Sequence, residues 1–112
     1  MTYVRCVKNK GYEASLEIGK VYKILSTTPQ ERRDKLLRVI DNEGEDYLYD
    51  SDYFEEVDLK AVGEPETGFV ALTIHLPPLV KAIVQAEALA AHKSAAALMR
   101  EWIDDRLDLP TR

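Results

Sequence analysis

The stretch FVALTIHLPP, residues 69–78, constrains this chain more than any other. It begins by alternating, with Val70, Leu72, Ile74 and Leu76 on one side and Ala71, Thr73 and His75 on the other, which is the period of a strand with one apolar face. Pro77 and Pro78 end that strand, because proline lacks the N–H a strand interior donates, yet proline suits the first turn of a helix. The period then changes. Leu79, Ile83, Ala86 and Ala90 fall at helical spacing, and Val80, Val84 and Leu89 widen the apolar stripe, so the pattern predicts a helix from about Leu79 to Ala91. After the interruption HKS, Ser94 is an N-cap candidate for a second helix to about Leu107. In it Ala95, Leu98, Met99, Trp102 and Ile103 form an apolar stripe, while Arg100, Glu101, Asp104 and Asp105 take the other side.

A lone strand ahead of two helices has no sheet of its own, and its backbone donors and acceptors need partners. The economical source is a second copy of the chain, strand pairing with strand across a two-fold axis and the helices packing behind the ribbon. The chain is therefore expected to be its own partner, as a homodimer or a higher oligomer.

The preceding sequence reads differently. TYVRCVK, VYKILSTT, KLLRVID, DYLYD and YFEEV are short segments rich in β-branched and aromatic residues, separated by turn signals. DNEGED, with Gly44 free to take positive φ, suits a hairpin, and EIGKVY suggests a second bend. Strands this short are expected to close into a small barrel, which removes exposed edges. Residues 59–68, with two glycines and a proline among acids, read as a linker. The expected fold class is α+β, with a β-barrel over residues 1–58, the linker over 59–68 and the strand-helix-helix unit over 69–112.

Composition narrows the function classes. With 46 % hydrophobic and 31 % charged residues the chain is globular rather than disordered. The net charge is −5; residues 1–68 hold 10 Lys and Arg against 15 Asp and Glu, and residues 69–112 hold 5 against 5. All the excess acid precedes the strand-helix-helix unit, so nucleic-acid binding there would rest on a local surface beside an acidic neighbour. No apolar run approaches the ~20 residues that span a bilayer and no leader-like segment opens the chain, so no membrane association and a cytoplasmic location are expected. Cys6 is the only cysteine, which excludes an internal disulfide and a cysteine-rich metal site; it is expected to pack as a small hydrophobe on a strand. His75 and His92 have no second ligand at metal-binding spacing, so neither a metal nor a cofactor is expected. The acids of DSDYFEEVD lack calcium-loop spacing and read as a solvated strand end. Tyr47, Tyr49 and Tyr53 fit the covering of the barrel better than a peptide-binding surface. With no glycine-rich phosphate loop and no nucleophile beside an evident base, an enzyme is not expected.

Two resemblances attach to these segments. SLEIGKVYKIL and DNEGEDYLYDSDYFEEV are similar to the small SH3-like barrels of bacterial proteins, which implies a fold rather than an activity. ALTIHLPP followed by HKSAAALMREWIDDRL resembles the ribbon-helix-helix DNA-binding family, the Arc, MetJ and CopG group. In that family the ribbon lies in the major groove of double-stranded DNA. The resemblance implies that Ala71, Thr73 and His75 face base edges, while Leu72, Ile74, Leu76, Leu98 and Trp102 lie in the dimer core. It also implies that Lys93, Ser94 and Ala95, at the amide end of the second helix, hold DNA phosphate. His92 stands where the family commonly has glycine. The implied function is a homodimeric transcriptional regulator, repressor or antitoxin-like, whose barrel acts as a sensor or partner-binding module. The alternative is an interaction protein in which the ribbon-helix-helix half only dimerises and the barrel grips a protein.

Overall fold

The structure, a computed structural model, describes residues 3–58 and 68–108. The chain separates into two compact units, Met1–Val57 and Asp58–Arg112. All of the expected linker except Gly68 lies outside the described residues.

The first unit is an antiparallel sheet of five strands, β1 (Tyr3–Cys6), β2 (Val21–Leu25), β3 (Leu36–Ile40), β4 (Asp46–Asp50) and β5 (Phe54–Glu56), in the order β4-β3-β2-β1-β5. Each strand falls within one of the five segments marked by β-branched and aromatic residues. β2 divides its pairing: Val21, Tyr22 and Lys23 pair with Arg5, Val4 and Tyr3 of β1, and Ile24 and Leu25 then pair with Val39 and Arg38 of β3. Gly44 closes the β3–β4 hairpin at φ +78°, and Gly19 takes φ +90° just before β2. Both lie in the left-handed region that favours glycine.

The expected closure into a barrel is not what the structure shows. β4 and β5 stand at opposite ends of the strand order and remain edges of an open sheet. β5 has three residues and pairs only with β1, and a 3-10 turn at Ser51–Tyr53 carries the chain from β4 into it without forming a ladder. Short edges with acids along them, Glu55 and Glu56 on β5 and Asp46 and Asp50 on β4, resist edge-to-edge association without closure.

A short helix, α1 (Pro29–Arg33), follows β2 in a stretch that the strand segments of the sequence leave unassigned. Thr28 caps it: its Oγ1 accepts from the Glu31 N–H at 3.1 Å, and the Glu31 carboxylate accepts from the Thr28 N–H at 2.9 Å.

The core of this unit is Val4, Cys6, Leu16, Tyr22, Val39, Tyr49 and Phe54, with Ile24, Leu37 and Tyr53 packed against it. Leu16 enters from the long β1–β2 connection and is fully buried. The two buried tyrosines keep their polar ends satisfied. Tyr22 Oη accepts from the Glu17 N–H and donates to Asn42 Oδ1, each at 2.8 Å. Tyr49 Oη donates to Asp41 Oδ2 at 2.8 Å.

The second unit holds α2 (Pro78–Ala90) and α3 (Ala95–Leu107). Pro78 opens α2 at the position where a missing N–H costs nothing. α2 ends in a Schellman turn: the Lys93 N–H donates to Ala88 O at 3.0 Å and the His92 N–H to Leu89 O at 3.1 Å. His92 occupies the left-handed position at φ +58°. The turn that glycine serves elsewhere is thus kept, at the cost of a side chain in a region such residues rarely adopt. Ser94 caps α3, its Oγ accepting from the Ala97 N–H at 3.0 Å. Only Ala88 and Leu98 are buried in this unit among the described residues. None of the helices in the described residues is long and apolar enough to cross a membrane.

Candidate nucleic-acid interface

Residues 68–77 carry no helix, strand or turn within one chain. The alternation of the sequence nonetheless leaves a bare apolar row: Val70 is 97 % exposed and Leu72 86 %, with Ile74 and Leu76 exposed beside them. Phe69, at the start of the segment, lies under the Arg100 guanidinium of α3, 5.5 Å from its ring centroid. That cation–π contact tethers the segment to a helix of the same chain.

Ala71, Thr73 and His75 are all exposed. In an extended backbone they project from one side. They offer a methyl group, a hydroxyl that both donates and accepts, and an imidazole. That set can meet an apolar group and one or two hydrogen-bonding edges, and it brings no permanent cation.

At the amide end of α3 the implied phosphate residues stand together. Ser94 is the N-cap and Ala95 the first helical residue. The first N–H groups of a helix have no intrahelical acceptor and carry the positive end of its dipole. Lys93, in contrast, is engaged: its Nζ pairs with Glu101 Oε2 on α3.

The implied core residues divide. Leu72, Ile74 and Leu76 are exposed in one chain and Trp102 is half-exposed, whereas Leu98 is buried within its own chain. Trp102 lines an apolar hollow along α3 with Met99, Ile103, Arg106 and Leu107. The Arg100–Phe69 and Lys93–Glu101 contacts were invisible to sequence reasoning. They join residues 31 and 8 positions apart, outside the i, i+3 and i, i+4 neighbours of a helix.

The remaining candidates lie in the first unit. Tyr49 is buried, Tyr53 Oη donates to Lys10 O at 2.8 Å and Tyr47 is 55 % exposed. Tyr12, which the sequence reading passed over, meets Tyr49 edge-on at 5.0 Å and Tyr53 at 5.8 Å. These rings cover one side of the core. Burial and the Asp41 carboxylate push the Tyr49 phenol well above the usual tyrosine range. Cys6 is fully buried, and burial raises its thiol pKa, the opposite of what a nucleophile needs. In DSDYFEEVD, Asp50 Oδ1 accepts from the Asp52 N–H at 2.9 Å and Glu55 lies 3.8 Å from Arg5. No group of three or more His, Cys, Asp or Glu among the described residues is placed to hold a metal ion.

No family model, curated protein or solved structure matches the chain.

Proposed function

We propose that the chain is a homodimeric DNA-binding regulator of ribbon-helix-helix type, repressor or antitoxin-like, with residues 69–76 pairing across a two-fold axis. The observation that carries this reading is the bare apolar row Val70, Leu72, Ile74 and Leu76 ahead of two helices that bury only Ala88 and Leu98 among the described residues. A second copy supplies both missing terms, backbone partners for the strand and apolar area for the row and the helix stripes. Pairing the segments then turns Ala71, Thr73 and His75 outward as a reading surface for the major groove, with the amide ends of both α3 helices available for flanking phosphates. The first unit, whose segments resemble those of SH3-like barrels, serves as a partner-binding or sensor module.

A gel shift on the DNA upstream of the chain's own coding sequence, over a salt series, tests this. Thr73→Ala or His75→Ala should each cost about 1–3 kcal/mol on the specific site and little on random DNA. Lys93→Ala should weaken both alike and flatten the salt slope by about one unit per subunit. Two observations favour a second reading, in which the ribbon only dimerises and the sheet unit grips a protein: the ion pair that occupies Lys93 and the acid excess of residues 1–68. Unchanged binding in all three variants, or no DNA bound at low salt, would put that reading in place of the first.

A further inference from the structure

Lys93 is the one cation in the implied phosphate site, and its partner is a carboxylate of its own chain. Glu101 lies six residues beyond Ala95 on α3, about 9 Å along the helix axis from the amide end. Its Oε2 takes the Lys93 Nζ. The ammonium is therefore drawn along α3, away from the N–H groups with which it would share a phosphate. Both side chains are partly exposed, so the pair is water-screened and weak enough for a stronger anion to displace. Glu101 also adds a negative charge to a helix that carries Asp104 and Asp105 one turn further on.

We propose that Glu101 is a built-in competitor for DNA phosphate, holding Lys93 in reserve and setting the affinity of the dimer low. The inference rests on the DNA-binding reading above. Phosphate binding must first break the Lys93–Glu101 pair, so part of the attraction between lysine and phosphate is offset by the loss of an existing contact. The outcome is a weaker complex than the same residues would give with Lys93 free. In a two-fold dimer the penalty acts twice.

The test is Glu101→Gln in the full chain, with Glu87→Gln on α2 as a control that removes the same charge from an exposed position. The readouts are gel shift on the specific DNA and elution salt from heparin, a polyanion with no base sequence. Glu101→Gln should tighten DNA binding by about 1.5- to 5-fold per subunit, and by the square of that per dimer, and should elute later from heparin. Glu87→Gln should give only the smaller, general effect of one charge. In a Lys93→Ala background the Glu101 effect should shrink to that of Glu87, because there is no lysine left to release. If Glu101→Gln matches Glu87→Gln, or lowers the melting temperature with no gain in affinity, the pair is a structural tie and the proposal is wrong. If the unmodified chain and every variant fail to bind either polyanion at low salt, the DNA-binding reading itself fails and this inference falls with it.

Discussion

The two units use similar lengths of chain and end in opposite conditions. Among the described residues Met1–Val57 buries seven core side chains, four of them fully, and satisfies its buried tyrosines internally. Asp58–Arg112 forms two helices and, among the described residues, buries two side chains. Local signals are met in both. Ser94 caps α3 as well as Thr28 caps α1, and a Schellman turn joins α2 to α3. What differs is whether non-local burial is completed within one chain. Most helical stability in proteins comes from packing an amphipathic face rather than from propensity. Helices that form with such faces bare are what the proposed dimer would cover with a second copy.

The sharpest way to break this comparison is at Ile74. A lysine there would place a charge in the seam of the proposed dimer, with no partner to neutralise it. Ile74→Lys should convert a dimer into a monomer by sedimentation velocity and remove most of the helical signal, because the helices lose the surface that holds them. The first unit should stay folded. An unmodified chain that sediments as a monomer at micromolar concentration, with its helices intact, would end the assembly argument.

Next in size is Leu16→Ala, which acts on the other unit. Leu16 is fully buried, so truncation leaves a cavity and should cost about 2–5 kcal/mol. The sheet unit should melt earlier or fail to fold while the dimer mass is unchanged. A loss of dimer in this variant would show that the two units depend on each other.

These two residues also mark what the sequence discloses and what it hides. Ile74 is legible because it stands in a period-2 row that two prolines end, and the helices after it are legible from their 3.6-residue stripes and the Ser94 cap. The five strands are legible from their β-branched and aromatic residues. Leu16 belongs to no periodic pattern; it lies in an irregular connection and reaches the core only through the path of that loop. Closure of the sheet is a long-range property, and the strand segments alone do not decide between a barrel and an open order ending in β4 and β5. α1 had a local signal in TPQE, a capping box with proline at the first helical position, hidden by the β-branched run before it. At the candidate interface the alternation assigns Thr73 and His75 to one side of the segment. The engagement of Lys93 by Glu101 does not, because it depends on the angle of the turn between the helices.

A smaller effect is expected at Tyr49. Burial first, and the hydrogen bond to Asp41 second, raise its phenol above the ordinary value of 10.0. The folded state thus favours the neutral form, so its contribution is fully present below pH 10 and is lost as pH rises from there toward the raised value. Tyr49→Phe keeps the ring and removes the hydroxyl; it should cost the sheet unit about 1–2 kcal/mol near neutral pH. It should also remove part of that unit's destabilisation in alkali, read by thermal melts between neutral pH and the alkaline range. A variant with the same alkaline profile as the unmodified chain would assign the loss to other groups.

The smallest expected effects come from the two helix caps, and they separate the units by mechanism. Thr28→Ala and Ser94→Ala each remove a side-chain acceptor from a first-turn N–H, a change worth about 1 kcal/mol at either site. α1 is five residues long with none of them buried, so the loss at Thr28 should stay local to the sheet unit. Its melting temperature should fall slightly and by the same amount at every protein concentration. α3 is thirteen residues long and carries the stripe that a second copy would cover in the proposed dimer. Loss of the Ser94 cap should therefore be felt in both copies of a dimer, in a transition whose midpoint rises with protein concentration, because folding and association are one equilibrium there. Melts of both variants at several concentrations decide the matter. A midpoint for Ser94→Ala that ignores concentration would mean that the helical unit stands alone, with its apolar row facing water.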